Sequence, residues 1–359
     1  SYSVSSSFAL RSVTASYTVS SSFSTTASYA LNCLPVLGSR FSRLVKNLSS
    51  NITNASADTK WVSADTFNVR DYGAVGDGVT NDSVAVHAAV SASHAAGRGT
   101  VYFPDGVFVI TGALTLPSNP QCDINIRGNG PNVSIIKQNT AGQGAINFNM
   151  DSGGTTDQLY QVGIRGITLQ CAGVGGTAVS VTYGTSEASQ HVDPSVFIHD
   201  VQIRSDTSNY WSNGIVLEST WNFVLDRVMV VGKNSTLGYV GTAFELRRLS
   251  VNGSISNCQF NFWDTGIYVN SVNYTSTGQN TEGLFIDGVF MVPVKHGLRV
   301  MGNPNYTGYG VDWYGRQEGG RVSMLTFING HVDSRDSGSC VWLENANDYH
   351  IAHNLLISS

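Results

Sequence analysis

Apolar and polar residues alternate in short runs along most of the chain, and one six-residue pattern occurs seven times between residues 164 and 357. Each copy reads apolar, any residue, turn-former, apolar, any residue, apolar. A sharp bend between two short strands is expected at the third position, because Gly, Asn and Asp tolerate a positive φ better than other residues. The residues at this position are Gly166, Asp200, Arg227, Asn257, Gly288, Gly330 and Asn354.

A second alternating run follows each of the first six copies, and successive bends lie between 24 residues (Gly330 to Asn354) and 42 residues (Gly288 to Gly330) apart. Two strands at a fixed phase in every repeat predict the stacked coils of a β-solenoid. An α/β fold would need long helices between the strands, and the pattern indicates none after residue 97. The second runs are TAVSV (177–181), GIVLE (214–218), AFELR (243–247), GIYVN (266–270), GLRVM (297–301) and CVWLE (340–344).

The sixth copy of the pattern conflicts with its own register, since it directs His331 and Asp333 to the inside of the coil. Either the coil shifts by one residue so that Val332 points inward, or a buried polar pair exists. An unpartnered buried carboxylate is costly, which favours the shift. The seventh copy ends close to the last residue, and an uncapped solenoid end suggests that the native chain continues.

Residues 67–110 predict a strand, a glycine-rich turn, a helix at about 83–96 and two further strands. One of residues 80–82 is expected to cap this helix, and Gly97 to end it. The order NVRDYGAVGDGVTND, helix, GTVYFPDG resembles the start of the pectate-lyase-like superfamily of right-handed parallel β-helices, which includes polygalacturonases and phage tailspikes. The resemblance implies an all-β parallel β-helix whose end is covered by the capping region 67–110.

The same resemblance does not predict an activity, because the matched segment lies at the capped end of the β-helix. Asp71, Asp77 and Asp82 are therefore expected to serve the turn and the helix cap rather than catalysis. The aspartate-pair and Gly-His-Gly motifs of polygalacturonases and the Arg-x-Pro-x-x-Arg pattern of pectate lyases are absent. No catalytic residue is transferred from those families.

The first 39 residues alternate strictly and repeat themselves, since SYSVSSSF at 1–8 returns as SYTVSSSF at 16–23. A period of two is a strand pattern, but two short strands have no core on which to pack their aromatic face. Residues 1–39 are therefore expected to form an oligomeric β-structured stalk, most simply in a homotrimer, or else a disordered Ser/Thr-rich linker. The repeated units resemble those of bacteriophage tail fibres. Residues 40–66 would be the neck that leads to a body at 67–359.

Composition narrows the classes of function. The net charge of −5 gives no reason to expect nucleic-acid binding. No run of about 18 apolar residues exists, so membrane insertion is not expected. The five cysteines include no CxxC pair, so they indicate buried free thiols rather than a disulfide framework or a zinc site, and neither a metal nor a cofactor is expected.

A ligand of a packed solenoid must bind on an outer face, and the second strands present two outward columns whose members stack about 4.8 Å apart. Aromatic rings can cover the apolar faces of sugars, while charged groups bind hydroxyl or acidic groups, so these columns fit a polysaccharide groove. A solvated mixed-charge face or a subunit interface is the alternative. The first column is Ser180, Val216, Glu245, Tyr268, Arg299 and Trp342, and the second is Thr182, Glu218, Arg247, Asn270, Met301 and Glu344.

The longest loop, residues 302–321, leaves one of these second strands and is expected to overhang the same groove. A shorter loop at 205–213 is expected to line it. Glycosidases need two carboxyl groups about 5 Å or about 6.5–9.5 Å apart, and no spacing in the sequence selects such a pair. The predicted binding residues are Tyr268, Arg299, Trp342, Tyr309, Trp313, Tyr314, Arg316 and Trp211, and the candidate catalytic residues are Glu245, Asp312, Glu318, Glu344 and Glu218.

Stalk and body together predict a phage tail fibre or tailspike on the virion tail, acting outside the cell after assembly in the host cytoplasm. The stalk would attach it to other tail or baseplate proteins, and the body would bind a host-surface glycan. Cleavage of that glycan by a glycosidase or a polysaccharide lyase is the alternative. A secreted pectinase-like enzyme is a second alternative, although it leaves the stalk unexplained.

Overall fold

The chain divides into two compact units, residues 1–64 and 65–359. The predicted stalk and all but the last residue of the neck lie outside the described residues. The computed structural model describes residues 66–117, 122–150, 160–183, 195–234, 238–248, 250–271, 281–302, 310–311, 317–318, 322–344, 346 and 349–358.

The described part is a right-handed parallel β-helix, which confirms the fold predicted from the repeats. Each coil passes through three ladders of parallel strands. The first ladder contains β1 (Thr66–Asn68), β3 (Arg98–Tyr102), β5 (Asp123–Arg127), β14 (Val251–Ser256), β17 (Glu282–Asp287), β21 (Ser323–Ile328) and β23 (Tyr349–Ala352). The second ladder contains β2 (Asp77–Asn81), β4 (Gly106–Ile110), β6 (Ser134–Gln138), β15 (Gln259–Asn261) and β24 (Leu355–Ser358).

Five long strands run through a bend from one ladder into the next. Those that join the first and second ladders are β8 (Val162–Cys171), β10 (Val196–Arg204) and β12 (Val224–Val231), and those that join the second and third are β18 (Phe290–Met301) and β22 (His331–Glu344). The third ladder also contains β7 (Ile146–Asn149), β9 (Thr177–Thr182), β11 (Asn213–Glu218), β13 (Thr242–Arg247) and β16 (Trp263–Asn270). A separate antiparallel pair is formed by β19 (Gly310–Val311) and β20 (Gln317–Glu318).

Inward side chains of successive coils stack directly on one another. One such stack runs through the first ladder, and every member is fully buried. Full burial of one aliphatic or aromatic side chain stabilises the fold by about 1.5–3 kcal/mol before conformational entropy is counted. The members are Ile164, Ile198, Leu225, Ile255, Ile286 and Phe327.

The bends between the first and second ladders lie where the pattern predicts them in five coils. Gly166, Asp200, Arg227, Asn257 and Gly288 all have φ between 51° and 63°. Arg227 is the one member of the column without an intrinsic preference for this conformation, and it adopts it with φ 52°. Position in the coil therefore overrides residue type at this bend.

In the last two coils the bends lie one residue earlier than predicted. Asn329 and His353, rather than Gly330 and Asn354, have positive φ, at 54° and 57°. The shift aligns Val332 with Met291, and Val332 is fully buried. The inward position of Val332 confirms the favoured alternative for this coil.

The shift also explains the polar residues of the sixth coil. His331 lies beside the ring of Phe290 with 6.0 Å between the ring centroids. Asp333 accepts a hydrogen bond from Arg335 at 2.8 Å, so its carboxylate is paired. A buried pair of His331 and Asp333 is not formed.

The capping helix α1 (Ser83–Ala95) follows the glycine-rich turn, which begins with a short 3-10 turn at Val69–Tyr72, and Gly97 (φ 75°) lies just beyond its end. Asp82 precedes α1 but turns its carboxylate back to accept hydrogen bonds from the Val75 and Gly76 amides, at 2.7 and 3.2 Å. Asp77 accepts from the Thr80 and Val79 amides, which holds the pKa of its carboxyl below the usual range. Asp77 and Asp82 thus serve the turn, as expected.

The four described cysteines are free thiols. Burial raises the pKa of Cys122 and Cys171 to about 11 and that of Cys258 to about 12. Cys340 is half-buried, and its pKa is raised by burial as well.

The described residues include no helix with the length and hydropathy needed to span a bilayer.

Candidate functional site

The outward columns of the third ladder have the predicted register. Glu245 pairs with Tyr268, Tyr268 with Arg299, and Arg299 with Trp342. At one strand spacing of about 4.8 Å per step, Glu245 and Trp342 lie about 14 Å apart. The second column is also in register as Glu218, Arg247, Asn270, Met301 and Glu344.

Three neighbours in the first column form what we call the aromatic–arginine stack. The guanidinium carbon of Arg299 lies 5.0 Å from the ring centroid of Tyr268 and 4.9 Å from that of Trp342. Both faces of the planar cation are therefore covered by aromatic rings, which attract it electrostatically. Burial raises the pKa of Tyr268, whose hydroxyl lies 3.6 Å from the Met301 sulfur.

Arg299 differs from the other arginines of this face in having no anionic partner among the described residues. Among the described residues its side chain forms no ion pair or hydrogen bond, and its Nε is buried without a partner. By contrast, Arg247 donates to Glu245 at 2.7 Å, and Arg248 lies 3.7 Å from Glu218. A planar cation without a carboxylate is suited to receive one from a ligand, because a guanidinium can donate two parallel hydrogen bonds from its edge.

His296 and Ser339 lie beside the stack, where β18 and β22 enter the third ladder. His296 Nδ1 is 3.0 Å from Ser339 Oγ, and the His296 ring meets Trp342 edge to face at 5.9 Å between centroids. Burial lowers the pKa of His296, while nearby Asp264 acts in the opposite sense. Lys295 and Asp264 form a loose ion pair at 3.8 Å.

The glutamates of the face are differently placed. Glu245 is 5% exposed, and its two carboxylate oxygens accept hydrogen bonds from Arg247 and Asn270 at 2.7 and 2.9 Å. Glu344 lies four strands from Glu218, about 19 Å away, so those two cannot act on one bond. Glu218 and Glu245 lie on adjacent strands two residues apart, with about 8 Å between their backbones.

One predicted binding residue is wrong. Trp211 is fully buried, so its ring packs in the core and cannot contact a ligand on the outer face. Its amide donates to Ser205 Oγ at 3.2 Å, which closes the 205–213 loop over the coil. Tyr210 of this loop is half-buried under Lys233, whose Nζ lies 5.1 Å from the ring centroid.

Most of the 302–321 loop lies outside the described residues, including Tyr309, Asp312, Trp313, Tyr314 and Arg316. The backbone of Glu318 is described, and it pairs with Gly310 between β20 and β19. Of the predicted site residues, the structure therefore brings together Glu245, Tyr268, Arg299 and Trp342 on one face. Glu218 and Glu344 lie at the two ends of the second column.

Sequence reasoning missed His296 and Ser339. Each lies one position before a second run, GLRVM and CVWLE respectively. Extending the runs backward by one residue would have aligned them as neighbours, as β18 and β22 do. Among the described residues, no group of three His, Cys, Asp or Glu side chains is arranged to hold a metal ion.

A second polar cluster lies at the bend between the first and second ladders, away from the stack. His199 lies 2.7 Å from Asp200 and 3.2 Å from Asp226, and Arg227 bonds both aspartates at 2.7 Å. The hydrogen bond from Arg227 is the main reason that the pKa of Asp200 is lowered. The charges of this cluster satisfy one another, which indicates that it secures the bend.

Comparison with known proteins adds a family. The model of the rhamnogalacturonase A/epimerase, pectate-lyase-like family matches residues 66–322. Mannuronan C5-epimerase AlgE1 of Azotobacter vinelandii is 44% identical over 78 residues, which are 20% of this chain and 5% of that protein, so this chain spans only a small part of that relative.

Two solved structures are similar over most of this chain. The family 28 exopolygalacturonase of Yersinia enterocolitica has 13% identity and a TM-score of 0.45, over 80% of this chain and 65% of that one. The N-terminal fragment of gene product 12 of bacteriophage Phi29 has 15% identity and a TM-score of 0.35, over 87% of this chain and 55% of that one.

Proposed function

The chain belongs to the rhamnogalacturonase A/epimerase, pectate-lyase-like family, and we propose that its body binds a polysaccharide. This polysaccharide bears carboxylate groups and binds on the outer face of the third ladder. The aromatic–arginine stack carries this proposal. Arg299, held flat between Tyr268 and Trp342, offers a sugar carboxylate a guanidinium edge that pairs with no described side chain. Trp342 is 41% exposed and offers a ring to the apolar face of a sugar.

The name of a relative supports an acidic glycan. Mannuronan, which that epimerase is named for, is a polymer of a uronic acid, and each of its units bears a carboxylate. A neutral glycan would give the guanidinium of Arg299 no anionic partner, and the charge-assisted hydrogen bonds that a guanidinium forms with a carboxylate would not be made. The ligand is therefore proposed to be a polyuronate or another polysaccharide with carboxylate substituents.

The repeat in residues 1–39 indicates the kind of assembly that would present this binding face. The alternating repeat of residues 1–39 and its resemblance to tail-fibre units favour a homotrimeric phage tail fibre or tailspike. The stalk would join it to other tail or baseplate proteins on the virion, and the acidic glycan would then be a capsule or lipopolysaccharide of the host surface. A secreted pectinase-like enzyme would need no such stalk.

Equilibrium binding of the full chain to polysaccharides tests the proposal. We expect binding to alginate, polygalacturonate or an acidic host capsule, and none to neutral dextran. Arg299→Ala should weaken binding at least tenfold, and Arg299→Lys should weaken it as well, because an ammonium keeps the charge but loses the planar edge. The control Arg165→Ala removes an exposed arginine from the first ladder and should bind as the unmodified chain does.

Equal binding to dextran, or full binding by Arg299→Ala, would contradict the proposal. The first result would mean that the chain does not select carboxylate-bearing glycans, and the second would leave the face as a solvated surface or a subunit interface. Screening by salt gives a further readout, since recognition of a carboxylate by an arginine should weaken as ionic strength rises.

A depolymerase is the second candidate function. Membership of a family named for a rhamnogalacturonase and an epimerase favours chemistry on the glycan, and Glu218 and Glu245 share one face at a backbone separation of about 8 Å. Size-exclusion chromatography of the polysaccharide after incubation with the chain separates the two functions. Shortening that is lost in both Glu218→Gln and Glu245→Gln supports this pair, whereas unshortened polysaccharide that still binds supports the fibre.

A further inference from the structure

A serine and a histidine lie side by side at the edge of the aromatic–arginine stack. His296 and Ser339 occupy paired positions of β18 and β22, with 3.0 Å between Nδ1 and Oγ. We propose that Ser339 is a nucleophile and His296 its general base, and that the pair hydrolyses ester substituents such as O-acetyl groups. That such esters sit on the bound glycan rests on the proposed function, but the reactivity of the pair does not.

His296 differs from the two other histidines whose ring nitrogens have described polar partners, His87 and His199. His87 places both ring nitrogens against backbone carbonyls, of Ser83 and Ala113, at 2.7 and 3.0 Å. His199 places Nδ1 against the carboxylate of Asp200 and Nε2 against that of Asp226, at 2.7 and 3.2 Å. His296 instead faces a hydroxyl group, the one partner whose proton a base must take to make an oxygen nucleophile.

The surroundings of His296 favour a neutral imidazole. Burial holds the pKa of His296 below the usual range of an imidazole; Asp264 opposes this effect, and Lys295 and Arg299 add to it. A neutral ring can accept the hydroxyl proton, whereas an imidazolium cannot. The edge-to-face contact with Trp342 fixes the plane of the ring.

The backbone presents Ser339 at the end of a strained bulge. Val294 pairs with Ser334 and His296 with Ser339, so β22 accommodates five steps where β18 has two. Asp336 and Ser337 in the bulge both have positive φ, at 58° and 57°. Two consecutive non-glycine residues in this region are costly, and such strain is concentrated at functional sites.

The bulge of β22 also packs tightly against the neighbouring strand β18. A Cβ at Gly338 would collide with the Lys295 carbonyl oxygen, and Ser334 Oγ donates to that same oxygen at 2.7 Å. The hydroxyl-bearing residues at the equivalent position of two earlier coils, Thr242 and Thr265, are buried. Thr265 is also a register partner of His296, but its hydroxyl donates to Asp264 at 3.3 Å, so the hydroxyl that His296 Nδ1 contacts is that of Ser339.

The reaction balances with an ester and water alone. Ser339 Oγ forms a bond to the ester carbonyl carbon as its proton moves to His296 Nδ1. The bond from that carbon to the glycan oxygen breaks, and the proton on His296 passes to this oxygen, which leaves as a hydroxyl group. Water then attacks the acyl-serine in the same way and releases acetic acid, which restores the Ser339 hydroxyl.

Labelling of the full chain with a fluorophosphonate probe, followed by peptide mass spectrometry, tests the pair without any glycan. We expect the label on Ser339, and at least a tenfold slower labelling in His296→Gln. Hydrolysis of p-nitrophenyl acetate should fall in parallel and be lost in Ser339→Ala. Ser256→Ala, which changes a serine bonded to Asp226, should label and hydrolyse as the unmodified chain does.

The pH profile gives a readout that a structural hydrogen bond would not move. The rate should follow the neutral fraction of His296, and its inflection should lie below the usual range of an imidazole, because burial lowers the pKa of His296 while Asp264, Lys295 and Arg299 are the charged groups that act on it. Absence of label on Ser339, or equal labelling of His296→Gln at an unchanged urea midpoint, would overturn the proposal. Because neither reagent contains a sugar, that failure would leave the binding proposal untouched.

Discussion

Trp211 is fully buried, whereas Trp342 leaves 41% of its surface in contact with solvent. The same side chain thus serves the core in one coil and the candidate binding face in another. The difference follows from position in the coil, because successive residues of a strand point to opposite faces while a residue at a turn is directed by the turn itself. Residue type alone gives no reason to expect one tryptophan in the core and the other on the surface.

Replacing each tryptophan by alanine should separate these roles. Trp211→Ala removes a buried ring and should lower the free energy of unfolding by about 3–5 kcal/mol. Trp342→Ala should change it by under about 1 kcal/mol and should instead weaken glycan binding. Urea unfolding followed by circular dichroism, with binding measured on the same samples, checks both. Loss of binding in a folded Trp211→Ala, with Trp342→Ala unaffected, would reverse the assignment.

The buried carboxylate of Glu245 gives a second prediction at this scale. Glu245→Ala leaves Arg247 and Asn270 without the oxygens that they donate to, and should lower the free energy of unfolding by about 1–3 kcal/mol. Glu344→Ala is the matched control, because Glu344 is exposed on the same face and should change stability by about 0.5 kcal/mol or less. Equal urea midpoints for the two variants would show that the Glu245 contacts contribute nothing.

At the scale of the element, the bend between the first and second ladders is the feature that every long coil shares. It requires one residue in the left-handed conformation, and the chain supplies Gly, Asp, Arg, Asn or His there. Side chains at neighbouring bends then bond to each other, as Asn257 does to Asp226 at 3.1 Å. Backbone geometry is thus repeated while the side chains vary.

Gly288 allows the cost of this conformation to be isolated. It has φ 62°, and the nearest atom to an added Cβ is Asn257 Oδ1 at 3.6 Å, which is an ordinary van der Waals distance, so the Cβ itself meets no clash. Gly288→Val should therefore lower the free energy of unfolding by about 1–2 kcal/mol through backbone strain alone. Gly288→Asn, which copies the residue of the preceding coil, should cost clearly less. Thermal or urea midpoints distinguish the two, and equal midpoints would argue against strain at this bend.

At the scale of the whole molecule, the candidate site is assembled from distant parts of the sequence. Glu245, Tyr268, Arg299 and Trp342 come from four successive coils and meet because each coil adds one strand spacing. A coil contacts mainly its neighbours, so the face depends on the register of every coil in that stretch. The stalk predicted for residues 1–39 would multiply this face by the number of chains in the assembly.

The oligomer is testable by substitution in the head. Tyr17, Val19 and Phe23 share one face of the predicted strand, and replacing Tyr17 and Phe23 by Asp should convert a trimer to monomers in sedimentation velocity. Ser20→Asp changes the opposite face and should remain trimeric. A monomeric unmodified chain would contradict the stalk and favour the linker, while the β-helix would be unaffected in its circular dichroism.

The coils and the outward columns follow from the order of the residues alone. Period-two alternation divides the residues of a strand into inward and outward sets, and the bend residues align each coil with the next. The neighbours of Arg299 on the adjacent strands could therefore be predicted from the sequence. Seven copies of one pattern made this inference robust, because an error in one coil is exposed by the others.

Three features depend on how the coils pack and could not be predicted from the alternation. Packing moved the last two bends to Asn329 and His353, turned Trp211 into the core, and brought His296 against Ser339 through a bulge. Each depends on how a loop or an extra residue is absorbed between packed coils, which is an energy balance among neighbours rather than a property of a local run. Alternation predicts where a strand points, but packing decides what happens where the alternation is interrupted.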